Sequence, residues 1–167
     1  MGRVGQSGAY TPYYTSKLKQ GEEYQDAVTD ALYRNGLLLI TYCSEKRQLT
    51  DGENRFGMEI KYDDKLDKTG NLFFETAEKR RPENPEWIPS GILRRDNSWL
   101  YAIGNFEALY IFPKQYLPWI QDKHLRQSPG SRFYSVFETA PKTSKGWLTP
   151  GSDIEKYAIK KVPIDRE

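Results

Sequence analysis

A strict alternation of apolar and polar residues over Phe56 to Tyr62 constrains the fold of this chain more than any other feature. Side chains two positions apart share one face of a strand, so the pattern predicts a strand with one apolar face. Glu59 and Lys61 leave the opposite face about 6–7 Å apart. Burial of that face would be costly unless the carboxylate and the ammonium group share a function.

Helical and strand patterns alternate along the rest of the sequence. Apolar spacing predicts a helix that starts at Glu22 and ends at Asn35-Gly36, and a second helix over 114–125 with Pro118 in its first turn. Short helices are predicted from Ser90 to Arg95 and, with a strand as the alternative, near 154–159. Further strands are predicted at 37–42, 72–77, 99–103, 108–112 and 133–137, with a hairpin between 99–103 and 108–112.

This order of elements predicts an α/β (α+β) fold in which one mixed β-sheet is flanked by helices. Residues 1–20 lack periodicity and are expected to form a flexible N-terminal arm, and residues 21–167 a single domain. No apolar run is long enough to span a membrane, and the first residues lack the apolar segment of a secretory signal. We therefore expect a cytoplasmic protein without a membrane partner.

The chain has one cysteine, Cys43, and one histidine, His124. A disulfide framework, a multi-cysteine zinc site and any catalytic site that needs two histidines are therefore excluded. We expect Cys43 to be a small buried residue and His124 a surface helix residue. Chemistry in such a chain depends on carboxylates, lysine, tyrosine or serine, and carboxylates without His or Cys partners favour Mg²⁺ or Mn²⁺.

Two acidic residues, Asp51 and Glu53, lie just upstream of the alternating strand. A second carboxylate from this position and Glu59 could hold one cation, and Lys61 could hold the attacking water or the developing charge. Two carboxylates and a lysine are the minimal set for metal-assisted phosphodiester hydrolysis. The alternative is a surface strand that carries an ordinary Glu–Lys pair.

Four sequence segments follow one another in a characteristic order: Glu59-Ile60-Lys61-Tyr62-Asp63, Thr69-Gly70-Asn71-Leu72-Phe73-Phe74-Glu75, Pro89-Ser90-Gly91-Ile92 and Asp96-Asn97-Ser98-Trp99-Leu100-Tyr101. Together they resemble small phage-type nucleases of the PD-(D/E)xK, restriction-endonuclease-like superfamily. The resemblance covers residues 51 to about 112 and implies a restriction-endonuclease-like core.

The resemblance implies that Glu59 is a metal ligand and Lys61 the catalytic lysine. Relatives place the upstream acid farther from the glutamate than this chain does, and Glu53 is preferred here, with Asp51 as its substitute. Glu23 of the first helix fits a further ligand of the superfamily, although a glutamate favoured by the helix dipole is the alternative. If the strand over 72–77 pairs with the strand over 56–62, Glu75 would approach Glu59 or Lys61.

The leading hypothesis is a Mg²⁺-dependent (or Mn²⁺-dependent) endonuclease that acts on DNA. Cleavage of a duplex by so small a chain would suggest a homodimer. If the protein is phage-encoded, its location would be the host cytoplasm. Phosphates would be neutralised by basic side chains, namely Arg94, Arg95, Lys79 and Lys145. The net charge is only +2, so such contacts must be local.

Two alternatives remain open. The first is a non-catalytic nucleic-acid-binding or assembly protein that retains a nuclease-like fold. The second is a β-rich adaptor that binds a protein partner through exposed aromatic residues, for which the candidates are Tyr10, Tyr13, Tyr14, Trp119 and Trp147.

Overall fold

Two four-stranded β-sheets carry the core of the protein in a computed structural model, which describes residues 12–37, 54–140 and 142–164. The helices are α1 (Pro12–Arg34), α2 (Leu66–Thr69), α3 (Tyr116–Gln127) and α4 (Gly151–Ile154), and 3₁₀ turns lie at Gly91–Leu93 and Glu155–Tyr157. The strands are β1 (Met58–Tyr62), β2 (Asn71–Glu78), β3 (Ile88–Pro89), β4 (Leu100–Gly104), β5 (Ala108–Pro113), β6 (Phe137–Glu138), β7 (Ser144–Pro150) and β8 (Lys160–Pro163). The fold is therefore a mixed α+β fold, as predicted.

The first sheet has the order β1-β4-β5-β8 and is mixed. Strand β1 runs parallel to β4, with Glu59 opposite Tyr101 and Lys61 opposite Ile103. Strands β4 and β5 form the predicted antiparallel hairpin, and β8 adds to β5 in antiparallel orientation. A parallel pair needs a long crossover connection, and here the chain between β1 and β4 contributes to the second sheet.

The second sheet has the order β3-β2-β7-β6 and is antiparallel throughout. The expectation of one mixed sheet is therefore wrong: β2 pairs with β7 in the other sheet, whereas the partner of β1 is β4. The sequence of β7 contains Gly146 and ends at Pro150, two residue types that are disfavoured in strands. Its partner strand β2 lies about seventy residues earlier in the chain. No alternation of apolar residues marked this strand.

Each face of the first sheet packs against a different layer. On one face, Met58 and Ile60 of β1 pack against Tyr24 and Val28 of α1. On the other face, a second apolar cluster joins both sheets and α3, with members that include Tyr101, Ile103, Phe74, Trp147 and Leu117. Since side chains alternate along a strand, Glu59 and Lys61 project toward this second layer.

Helix α1 begins at Pro12, ten residues before the predicted start at Glu22. Residues 12–20 are therefore helical, whereas they were expected in the N-terminal arm. Proline at the first helical position has no N–H that needs a partner, and the Lys17 ammonium forms an ion pair with Asp64, just after β1. This contact connects the first part of the helix, which has no apolar periodicity of its own, to the segment after β1.

Helix α3 has Pro118 in its first turn, as predicted. Of the strand expected over 133–137, only the two-residue strand β6 forms, at its last position and the residue after it. The strand expected over 37–42 lies outside the described residues except for its first position, and so does Cys43. Within the described ranges, no helix is both long and apolar enough to cross a membrane.

Trp147 is not an exposed aromatic residue, as the adaptor hypothesis expected, because it is fully buried and stacks on Phe74. Tyr13 and Trp119 are exposed, as that hypothesis required. Tyr10 and the side chain of Tyr14 lie outside the described part of the chain.

Candidate active site at the end of strand β1

A tight turn over residues 54–57 leads the chain into β1. The buried Asn54 side chain holds this turn: its Nδ2 donates to the Met58 carbonyl at 2.7 Å, and its Oδ1 accepts from the N–H groups of Phe56 and Met58. Gly57 has φ +64°, and a Cβ there would lie 2.7 Å from the Asn97 carbonyl oxygen. The turn therefore needs glycine, and it fixes where β1 begins.

Glu59 and Lys61 lie side by side on β1, as the alternation predicted. Lys61 Nζ is 3.3 Å from Glu59 Oε1, and the two side chains are 32% and 3% exposed. The lysine therefore reaches solvent while the carboxylate is buried beneath it. Burial of a carboxylate is costly without positive partners, so this pair meets one physical requirement of a functional centre.

A second lysine contacts the same carboxylate, and sequence reasoning missed it. Lys114, just after β5, donates from Nζ to Glu59 Oε2 at 2.9 Å and to Asp96 Oδ1 at 3.1 Å. Its side chain is 6% exposed and that of Asp96 is 2% exposed. A lysine at a strand end has no local pattern that indicates burial, so only the tertiary fold reveals its role.

Asp96 is held by more than this lysine. Burial alone would raise the pKa of its carboxyl, but hydrogen bonds from the Ser98 N–H and from Lys114 hold that pKa below its ordinary value. The Ser98 N–H donates to Asp96 Oδ1 at 2.8 Å. Asp96 therefore acts as a fixed negative partner for the buried lysine.

Glu59 Oε1 makes no hydrogen bond to any residue that the structure describes. A buried anionic oxygen without a hydrogen bond is one ligand of the kind that Mg²⁺ and Mn²⁺ prefer. The other expected ligands near it, Asp51 and Glu53, lie outside the described residues. Among the described residues, no group of three or more His, Cys, Asp or Glu side chains could hold a metal ion.

A cavity of about 420 Å³ opens beside Lys61. It extends from the end of β1 to the second sheet, and its walls carry charges of both signs together with apolar side chains. The charged lining residues are Lys61, Asp63, Asp64, Lys65, Glu75 and Glu138. The apolar and aromatic part includes Phe73, Tyr101, Ile103, Phe137 and Leu148. A polar ligand could enter beside the Lys61 ammonium.

Asp63 fixes one wall of this cavity. Its Oδ2 accepts from the Phe73 N–H at 2.8 Å and its Oδ1 from the Lys65 N–H at 3.0 Å. Burial raises the pKa of this carboxyl, and the two backbone hydrogen bonds oppose that rise. Asp63 therefore links the end of β1 to β2 of the second sheet.

Glu75 lines the cavity. Its strand β2 does not pair with β1, because the two strands belong to different sheets, so the condition for its expected approach to Glu59 is not met. Its carboxylate accepts hydrogen bonds from Ser90 Oγ at 2.6 Å and from Ser144 Oγ at 2.7 Å. The structure therefore gives Glu75 a role in joining three segments of the second sheet region. A ligand role near Glu59 has no support from these contacts.

Glu23 lies on α1, and the structure does not bring it into the cavity. Its side chain is more than half exposed, and its carboxylate is 3.6 Å from Lys19 Nζ one turn earlier. The neighbouring Tyr24 turns inward and packs with Tyr62 and Phe106. Glu23 is thus an ordinary surface helix residue among the described contacts.

The basic residues expected to bind substrate lie along the second sheet and beside it. Lys79 and Lys145 place their Nζ atoms 4.6 and 4.2 Å from the centre of the Trp87 ring, and Lys145 also pairs with Glu138 at 3.4 Å. Arg94 pairs with Glu78 at 3.2 Å, and its neighbour Arg95 is exposed. Three of the four cations are therefore already engaged, and Arg95 is the most accessible.

Comparison with protein-family models, with curated proteins and with solved structures finds no match for this chain. Functional assignment therefore depends on the geometry around Glu59 and on the motifs that resemble the nuclease superfamily. Around Glu59, the structure leaves Oε1 without a hydrogen bond among the described residues and places the Lys61 ammonium beside it.

Proposed function

We propose that the protein is a Mg²⁺-dependent (or Mn²⁺-dependent) endonuclease that hydrolyses DNA phosphodiester bonds, on a restriction-endonuclease-like core. The observation that carries this proposal is the contact of Lys61 Nζ with Glu59 Oε1 at 3.3 Å beside an open cavity. A buried carboxylate and a partly exposed lysine on one strand face are two parts of the active site that the resemblance implies.

Glu59, together with Asp51 or Glu53, would hold the cation. When bound, a divalent cation neutralises a scissile phosphate and lowers the pKa of a coordinated water. Lys61 would orient the attacking water or stabilise the negative charge that develops on the phosphate. Its partial exposure allows this contact without movement of β1.

The bound DNA would extend from the cavity across the second sheet. Lys145 lies on β7, whose Leu148 lines the cavity, and Lys79 directly follows β2. With Arg94 and Arg95 these side chains form a local basic region, which neutralises phosphates without reading sequence. A homodimer would supply a second copy of the site for cleavage of both strands.

One observation favours the alternative of a non-catalytic nucleic-acid-binding or assembly protein. Lys114 and Lys61 both contact Glu59, so its charge is balanced without a metal ion. In that case the buried ion network is structural, and DNA binding would not require Mg²⁺ or Mn²⁺.

Plasmid, branched and single-stranded DNA are incubated with the purified full chain in Mg²⁺, in Mn²⁺ and in EDTA. We expect cleavage that depends on the cation and is lost in Glu59→Gln and Lys61→Met. Lys160→Met, on the exposed surface of β8, is the matched control and should cleave normally. Cleavage that persists in either site variant would reject the assignment, and metal-independent DNA binding without cleavage would favour the alternative.

A further inference from the structure

We propose that Lys114 is a positioning residue that fixes the orientation of the Glu59 carboxylate, with Asp96 as its counter-charge. The inference rests on the proposed function, because the oriented oxygen is the one offered to a cation. Lys114 lies on neither β1 nor β4, the two strands that pair at Glu59. It is 55 positions from Glu59 in the sequence.

The geometry divides the two oxygens of Glu59 between two lysines. Lys114 donates to Oε2 at 2.9 Å, whereas Lys61 Nζ lies 3.3 Å from Oε1 without forming a hydrogen bond. A carboxylate held firmly through one oxygen keeps the other in a fixed direction. Rotation of Glu59 would break its strongest contact, so Oε1 stays beside Lys61.

Lys114 is itself held at two points. Its backbone N–H donates to the Trp99 carbonyl at 2.8 Å, which continues the pairing of β4 with β5. Its ammonium also donates to Asp96 Oδ1, an oxygen that accepts from the Ser98 N–H as well. The donor that orients Glu59 is therefore anchored through both its main chain and its side chain.

Stability alone does not account for this arrangement. Three charged side chains with at most 6% exposure must lose their hydration, and a buried ion pair is often no more stabilising than apolar residues of the same volume. The network ends at a buried oxygen without a hydrogen bond, which calls for an explanation such as a bound ion. Outer partners that orient a metal ligand would supply one.

The direction in which metal affinity changes when Lys114 is removed distinguishes an orienting role from a purely electrostatic one. A lysine beside a cation site repels the cation, so its removal should tighten binding if charge is its only influence. If Lys114 holds Glu59 in place, its removal should weaken binding. Loss of a group that orients a metal ligand costs about 10–100-fold in metal affinity.

The experiment measures Mn²⁺ binding to the full chain by electron paramagnetic resonance, and Glu59 rotamers through three-bond NMR couplings without metal. The variants are Lys114→Met and the double variant Lys114→Met/Asp96→Asn, with Lys160→Met as the control. The double variant removes the buried charge that the single variant leaves unpaired, and so keeps the test informative if Lys114→Met does not fold.

We expect both Lys114 variants to bind Mn²⁺ about 10–100-fold more weakly than the wild type and the control, and to show averaged Glu59 couplings. Unchanged or tighter Mn²⁺ binding by a folded variant would overturn the inference. If the wild type neither binds Mn²⁺ nor cleaves DNA, the proposed function fails. The couplings alone then decide whether Lys114 orients Glu59: one unchanged rotamer in the variants rejects it, and averaging supports it.

Discussion

Lys61 Nζ lies 3.3 Å from Glu59 Oε1, although the side chains leave β1 at positions two residues apart. Side chains two positions apart leave the same face of a strand, so both project toward the second sheet. Their register partners on the neighbouring strand β4 are Tyr101 and Ile103. The carboxylate is buried, whereas the more exposed ammonium lines the cavity.

Lys61→Met should lower the DNA cleavage rate by about 10²–10³-fold, because it removes one electrostatic contact to the charge that develops in the transition state. The free energy of unfolding should change by at most about 1 kcal/mol, since Lys61 is partly exposed. Single-turnover cleavage and urea unfolding measure the two effects. A normal cleavage rate in the folded variant would contradict the assigned role.

Local patterns predicted those parts of the structure that depend on neighbours along the chain. The alternation over 56–62 fixed which side chains share a face, and the apolar strands around Gly104-Asn105 fixed the hairpin. The two side chains of the predicted centre, Glu59 and Lys61, therefore lie together as their spacing required.

Contacts between distant segments were not predictable from these patterns. Strand β7 pairs with β2 through residues such as Trp147 and Phe74, and no local feature specifies that pairing. The contact of Lys114 with Glu59 has the same origin, because the two carboxylates that accompany this buried lysine come from distant parts of the chain. Sequence periodicity reports one element at a time, whereas these contacts depend on how elements pack.

Gly57→Ala should destabilise the protein more than Gly70→Ala. Both glycines have φ near +64°, where a side chain costs about 1–2 kcal/mol. A Cβ at position 57 would also meet Asn97 and Trp99 at 2.7 Å, whereas nothing lies within 4 Å of one at position 70. Urea unfolding of the two variants gives the comparison. Equal losses would mean that the turn before β1 can shift freely.

Glu75→Gln should lower the free energy of unfolding by about 1–2 kcal/mol, because hydrogen bonds to a charged acceptor are stronger than those between neutral groups. The two bonds at issue come from Ser90 and Ser144. Glu78→Gln, whose half-exposed carboxylate meets only Arg94 among the described ion pairs, is the control and should change stability by less than about 1 kcal/mol. A large loss of Mn²⁺ affinity in Glu75→Gln at unchanged stability would instead indicate a metal ligand.

Arg95→Gln should weaken DNA binding and lower the slope of log K against log salt by about 1, as expected for the loss of one phosphate contact. Arg95 is exposed, so its substitution leaves the core intact. Arg126→Gln is the matched control, since Arg126 is an exposed arginine at the end of α3 that pairs with Asp122. Fluorescence anisotropy at several salt concentrations measures both. An unchanged slope in Arg95→Gln would remove this residue from the DNA-binding surface.

The unfolding free energy should fall as the pH drops from 7.5 to 5.5, and His124 should account for part of that fall. Burial lowers the pKa of its imidazole, Lys156 and Lys123 add to that effect, and Asp153 opposes it. The ring also stacks on Tyr134 at 4.1 Å and contacts the Tyr157 hydroxyl at 3.1 Å.

A lowered pKa means that the unfolded chain binds the His124 proton more readily than the folded protein does. The stabilisation is therefore complete above the ordinary value of 6.5 and is lost as the pH falls below it. His124→Phe keeps a ring against Tyr134 but cannot be protonated, so its stability should depend less on pH over this range. Urea unfolding at pH 5.5, 6.5 and 7.5 tests this, and parallel pH profiles for the two proteins would show that His124 contributes nothing to acid sensitivity.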